Sequence, residues 1–449
     1  VIYTEKQGDN MFIALVSLLD RGLRKYTPDP FIYAVLLTIF VFAMGLILTP
    51  NTSTQMITYW GDGFWKLNAF TFQMALVLVS GHAVASTPLV QRGLKAISRL
   101  IRTPGQAIVV TTLIATVGCW LNWGFGLVLG ALLCREIGKT MPKVNYRLLV
   151  ASAYTGFLVW HGGLSASVPL LMATPGNFTQ QLVGRIVPIS ETLFSSYNVI
   201  LVLVFALTLP LINWAMSRAA SENTALVFED PERSAPYREQ KSTSFADRLE
   251  NSRLISWILV AMGTSYLVVL WQSDKLSIDL DRVNFFFLFS AVLLHSTPAR
   301  FIGAIIEAAK KTGPILLQFP FYAGIMGMMG SSGLTEVISN AFVSLSTPNS
   351  FPLLTFFSAA LVNIFVPSGG GQWAVQGPIV LKAAQSLGAD IPKAAMAVAW
   401  GGTWTDLLQP FWALPLLAIA GLRLREVMGY LVTVVIVTGI IFTIAFSII

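Results

Sequence analysis

Residues Leu113–Gly130 read "LIATVGCWLNWGFGLVLG", and Phe357–Gly377 read "FSAALVNIFVPSGGGQWAVQG". Both are apolar stretches broken mid-way by glycine and polar residues. A second pair repeats the relation: "ASAYTGFLVWHGGLSASVPLLMA" (Ala151–Ala173) answers to "MAVAWGGTWTDLLQPFWALPLLAIA" (Met396–Ala420). Single anchors keep an offset of 245 or 246 residues: Gly81 and Gly327, Gly126 and Gly371, Gly156 and Gly402, Pro169-Leu170-Leu171 and Pro415-Leu416-Leu417. Interrupted hydrophobic segments at matching places in two halves point to the binding site of a secondary transporter.

Composition sets the class independently. The chain is 55% hydrophobic and 11% charged, with a mean hydropathy of +0.69, as expected of a protein solvated mostly by lipid. Uncharged runs at Phe31–Leu48, Val199–Ser217, Leu254–Trp271 and Val427–Ile449 approach the roughly 20 residues a spanning helix needs. Cys119 and Cys134 stand in apolar context with no metal-ligand spacing, so they read as small core residues. No metal or cofactor is expected.

The net charge of +7 is a topology signal rather than a nucleic-acid footprint. Segment 92–103 carries Arg92, Lys95, Arg99 and Arg102 with no acid, and segment 135–147 carries Arg135, Lys139, Lys143 and Arg147 against Glu136. Basic loops face the cytoplasm, so both belong inside. The stretch Pro104–Cys134 between them is too short for the roughly 40 residues of two crossings, which predicts a re-entrant hairpin over about 104–134. Broken helices are expected over about 148–172 and 392–421, and a second hairpin over about 351–381. The mixed-charge stretch 218–253 reads as a cytoplasmic linker between repeats 1–217 and 254–449. Leu254–Trp271 adds one crossing, so the second repeat is inverted and its hairpin dips from outside. The flank 335–350 has no Lys or Arg, as an external loop should. The expected fold is an all-α polytopic membrane protein of two inverted-topology repeats, with the N-terminus cytoplasmic and the C-terminus periplasmic.

Backbone that leaves helical form in a bilayer strands N–H and C=O groups, which protein or water must satisfy. Glycine in membrane helices often only permits close packing, which suffices for Gly81 and Gly327. It does not suffice for Pro367-Ser368-Gly369-Gly370-Gly371-Gln372, where three glycines weaken the helix. Half-helix N-termini meeting at depth present free N–H groups and a partial positive charge, a cradle for an anion without lysine or arginine.

The motifs "WGDGFW" (Trp60–Trp65), "NWGFGL" (Asn122–Leu127), "ATPGN" (Ala173–Asn177), "QFPFYAGI" (Gln318–Ile325), "PSGGGQW" (Pro367–Trp373) and "QPFWALPLLAIAGL" (Gln409–Leu422) resemble, together and in order, the short-chain fatty acid transporter family. The resemblance spans nearly the whole chain. It implies a bacterial inner-membrane carrier of short monocarboxylates, in a wider ion-transporter group with paired re-entrant hairpins, often homodimeric and working by an elevator motion. Gln372 stands where the resemblance leads one to expect His as often, and Gln cannot titrate near neutral pH.

The candidate substrate site follows from the tips and breaks: Asn122, Trp123, Gly124 and Gly126; Trp160, His161, Gly162, Gly163 and Ser165; Pro367, Ser368, Gly369, Gly370, Gly371, Gln372 and Trp373; and Thr403. Asn122, Ser165, Ser368, Gln372 and Thr403 offer neutral hydrogen bonds, while Trp123, Trp160, Trp373 and Trp404 could wall a small apolar tail. Asp406 is the one carboxylate in the four broken segments, and a buried ionisable group in a span is a functional candidate; it is the candidate coupling site, for sodium or a proton. His161, at the matching break, titrates near neutrality in water. His82 and His295 read as structural.

An intramembrane enzyme would need a nucleophile–base or metal constellation; the chain has three histidines and neither HExxH nor GxSxG. A receptor or scaffold would leave the inverted breaks unexplained. Within transporters, the alternative is a carrier of another small organic anion, a dicarboxylate or amino acid. The lack of an intramembrane Arg or Lys for a second carboxylate favours a monocarboxylate.

Overall fold

The computed structural model describes residues 16, 18–19, 30–66, 68–173, 176, 178–219, 244–273, 280–310 and 312–448. Among them every regular element is helical. Pro104–Leu121, Tyr146–Ala173, Ser196–Arg218, Arg253–Gln272 and Met428–Ile448 are long and apolar enough to cross a membrane, while Thr71–Val84 and Pro88–Leu100 pass the same test only together, with a 77° bend between them. The protein is an all-helical, multi-pass membrane protein. Most of the predicted linker, residues 220–243, lies outside the described residues, as do most of "ATPGN" and the final residue.

The sequence repeat is also a repeat of elements. Helices beginning at residues 53, 68, 88, 104, 123 and 146 recur with beginnings at 298, 313, 334, 351, 369 and 391, offsets of 245 to 247. The start signals match as well. Asn122 and Ser368 each accept the amide of the residue three further on, Phe125 at 3.1 Å and Gly371 at 3.3 Å. Asn145 and Asp390 do the same for Leu148 and Lys393. Each short polar side chain satisfies one of the amides that a helix start leaves open. The Arg253–Gln272 helix has no counterpart and lies at the edge, its Trp257, Met262 and Trp271 exposed.

Packing between the two sets is reciprocal. Helix Ser53–Gly63 lies against Gly313–Ser331, and its counterpart Pro298–Ala309 lies against Asn68–Ala85. Gly63 and Gly327 make the first contact backbone to backbone: a Cβ on Gly63 would sit 2.8 Å from the Gly327 Cα.

Both hairpins are longer than expected. The first joins Pro104–Leu121 to Trp123–Thr140, and the second joins Phe351–Phe365 to Gly369–Leu387. Arg135, Glu136 and Lys139 do not end the helix, because Glu136 is buried and pairs with Lys139 at 3.3 Å one turn on. Arms of 18 residues reach about 27 Å, so length alone does not separate a dip from a crossing. The position of the hairpin bases is more telling. At the first base, Tyr146 Oη donates to the Ala420 carbonyl at 2.9 Å and Arg147 pairs with Glu426 at 3.3 Å. At the second, Gln385 Nε2 donates to the Leu182 carbonyl at 3.0 Å. The Tyr146–Ala173 run starts at the first base and ends where Val187 N–H donates to the Met172 carbonyl, in the loop that touches the second.

Candidate functional site

The two breaks form as the sequence suggests, by different means. In the first, helix Tyr146–Thr155 tightens into a 3-10 segment, Gly156–Gly162, before helix Ser167–Ala173 resumes. Gly156 is required by close approach, since a Cβ there would stand 2.6 Å from the Thr116 amide nitrogen of the first hairpin. In the second, helix Ile391–Asp406 stops and Pro410–Ala420 restarts, with Pro410 at a first-turn position where its missing N–H costs nothing.

The breaks lie against each other. Trp160 Nε1 donates to Asp406 Oδ2 at 3.1 Å, and Thr403 Oγ1 donates to the Leu158 carbonyl at 3.1 Å. Tyr154 Oη donates to the Asp406 carbonyl at 2.7 Å. Trp160 and Asp406 are 246 residues apart, the repeat offset.

Asp406 is 2% exposed. Its Oδ1 accepts from Asn363 Nδ2 at 2.7 Å, and the Trp412 ring packs on Trp160 with centroids 5.7 Å apart. Asn363 is itself fixed by donating to the Gly402 carbonyl at 2.8 Å, and Gln409 Nε2 donates to the Ile364 carbonyl. A buried carboxylate needs such charge-assisted hydrogen bonds to offset its desolvation. These partners are N–H donors, whereas a hard metal cation takes oxygen ligands.

Each tip docks on the first break. At the first, Trp123 N–H donates to Ser165 Oγ at 3.0 Å and Leu164 N–H to the Trp120 carbonyl at 2.8 Å. Gly126 faces Cys119 of the opposite arm, Gly163 faces Trp120, and Gly162 faces Trp400, so these three serve close packing. At the second, Gln372 N–H donates to the Ser368 carbonyl at 2.6 Å, following Pro367, which is buried. Among the described residues, Gly369 and Gly370 N–H have no hydrogen-bond partner. A Cβ on Gly369 would meet His161 Cε1 at 2.7 Å, and one on Gly371 would meet Met326 Cε at 2.6 Å. Gly370 alone of the three borders open space, with Leu171 Cδ1 at 3.9 Å.

The remaining predicted residues divide clearly. His161 stacks on Trp160 with ring centroids 4.0 Å apart, and its Nε2 accepts from Val168 N–H at 3.3 Å. Trp123 packs edge-on against Trp412. Gln372 is committed to the Ala359 carbonyl and Gln376, and Trp373 Nε1 donates to Thr179 Oγ1 at 3.2 Å. Trp404 turns to the last helix, donating to the Val435 carbonyl at 3.0 Å. His295 Nε2 lies 2.8 Å from the Ala83 carbonyl, tying two helices together. Asn363, Gln409, Tyr154 and Trp412 complete the Asp406 node without having been singled out in sequence. Asn363, a lone carboxamide in "AALVNIF", carried the readable signal.

The family described as Short chain fatty acid transporter matches residues 11–449. The chain belongs to that family. A candidate short-chain fatty acid transporter of Escherichia coli (strain K12) is 44% identical over 435 residues, 96% of this chain and 98% of that protein. Its counterpart in Haemophilus influenzae is 42% identical over 431 residues, 94% and 96% of the two chains. The crystal structure of the Alcanivorax borkumensis YdaH transporter, described as having an unusual topology, overlays with a TM-score of 0.44 at 14% identity, over 93% of this chain and 98% of that one. The protein is thus a membrane transporter rather than an enzyme.

Proposed function

We propose that this transporter carries short-chain fatty acids or similar small monocarboxylates across the bacterial inner membrane, coupled to a cation and moving by an elevator-type displacement. The carrying observation is the second tip, where the adjacent Gly369 and Gly370 amides are unpartnered among the described residues and Gly370 borders open space. Two neighbouring N–H groups at a helix start suit one carboxylate, and Leu171 and Trp160 stand where a short apolar tail would follow. A cleft lined by Ser80, Gly81, Gly124, Phe125, Val128, Asn284 and Phe287 lies beside the first tip. It offers the single Gly124 amide rather than an adjacent pair, so we assign the carboxylate to the second tip.

In this reading the repeats, 1–217 and 254–449, are inverted, with the hairpins re-entrant from opposite faces, the second from the periplasm. The charge placement, the reciprocal packing and the separate hairpin bases support it. A homodimer, a cytoplasmic N-terminus and a periplasmic C-terminus belong to the same reading.

Coupling is assigned to Asp406. Moving an anion inward against a potential costs roughly 2.3 kcal/mol per charge per 100 mV, which a co-transported cation offsets. The surrounding N–H donors favour a proton over sodium, since a proton needs no oxygen shell. Its arrival requires one donor to release the carboxylate. Uptake of labelled acetate, butyrate, acetoacetate and succinate into proteoliposomes, with sodium and proton gradients imposed separately, tests the reading. The monocarboxylates should accumulate under a proton gradient, and accumulation of succinate alone would contradict it. Asp406→Asn should lose gradient-driven accumulation while keeping substrate exchange. Trp160→Phe, which removes one donor and leaves the carboxylate, should keep both. Normal accumulation by Asp406→Asn would make Asp406 structural.

A further inference from the structure

We propose that the Pro88–Leu100 helix is a docking surface for the anionic phospholipid headgroups of one leaflet. The helix turns 77° away from Thr71–Val84, so if the latter spans the bilayer the former lies along its surface. Its two faces are sorted accordingly. Leu94 and Ser98 are buried, as is Ile101 just beyond the helix, while Arg92, Lys95 and Arg99 are exposed, with Arg102 beside them. Leu89 and Leu100, at the two ends, are 62% and 79% exposed, apolar groups placed to enter the acyl boundary. The buried face packs on the Trp123–Thr140 arm of the first hairpin, which leaves the basic face opposite it turned outward.

Two observations bear on these charges. Among the described residues, none of Arg92, Lys95, Arg99 and Arg102 has an acidic partner. The counterpart helix Leu334–Val343, at the same place in the repeat, carries Glu336 and neither Lys nor Arg. The fold therefore does not require the charges, which leaves them available to an anionic surface. The consequence is mechanical. Ser98 Oγ lies 2.6 Å from Thr140 Oγ1, so a lipid-held helix also holds the base of the first hairpin.

The test uses the full-length chain in mixed bilayers, comparing protein-bound fractions of spin-labelled phosphatidylglycerol and phosphatidylcholine. Phosphatidylglycerol should be preferred by about tenfold at low ionic strength, and the preference should shrink as salt screens it. Arg92→Gln/Lys95→Gln/Arg99→Gln/Arg102→Gln should abolish it. Arg92→Lys/Arg99→Lys/Arg102→Lys should keep it. Because removing four charges can disturb insertion, Lys95→Gln/Arg99→Gln is a milder probe and should lower the preference several-fold. No preference in the wild type, or one unchanged by salt and by the milder variant, would overturn the proposal. So would displacement of the labelled lipid by millimolar inorganic phosphate, which would mark a site for a soluble anion.

Discussion

The two hairpins occupy equivalent places in the repeat and are built for different ends. In the first, Gly118 and Gly126 bring the arms together, Asn122 turns the chain, and Ser165 takes the Trp123 amide. In the second, the turn is longer, and Asn363 on the first arm ties that arm to the second broken helix. Ser368 takes the Gly371 amide, and the two amides before it are left over. One tip, with Ser165 of the first break taking the Trp123 amide, keeps the single Gly124 donor, and the other keeps two adjacent donors. Equivalent position does not mean equivalent role, and the difference lies in which amides the neighbouring hydroxyls consume.

Substitutions can break that comparison. The largest effect is expected at Gly370. Val there places bulk over donors worth about 1–3 kcal/mol when left unmet, so butyrate uptake should fall about 10- to 100-fold with the protein still folded. Unimpaired uptake would remove the second tip from the site. Next comes Gly126→Ala, whose new methyl meets Cys119 backbone. Overpacking of about 1–3 kcal/mol should lower the melting temperature and leave the KM of the surviving protein unchanged; a raised KM would give the first tip a share in binding. The smallest effects are expected at the two hydroxyls that accept tip amides. Ser165→Ala and Ser368→Ala should each cost about 1 kcal/mol of stability, but only Ser368→Ala should raise KM. Equal KM changes would erase the distinction between the tips.

Much of this architecture was legible before any coordinates. The glycine and proline punctuation that marks the breaks acts locally, through backbone conformation, so "WHGG" and "TDLLQP" could be read directly. The ends of the hairpin arms could not. The charges at 135–139 suggest the edge of the helix, yet Glu136 is buried and pairs within it. Roles among the predicted residues were also hidden. Nothing in "GGTWTD" says that Trp404 turns to the last helix while Asp406 meets Trp160; helix rotation against tertiary partners decides that. The pairing of Trp160 with Asp406, one repeat offset away, is a tertiary contact that neither motif encodes locally.

The account rests on a carboxylate held by the second tip, and ligand-induced stabilisation of the purified transporter tests it most directly. Butyrate should raise the melting temperature of the wild type and of Gly126→Ala, n-butanol should not, and Gly370→Val should show no butyrate response. Equal stabilisation of Gly370→Val by butyrate would place the substrate elsewhere and contradict the account.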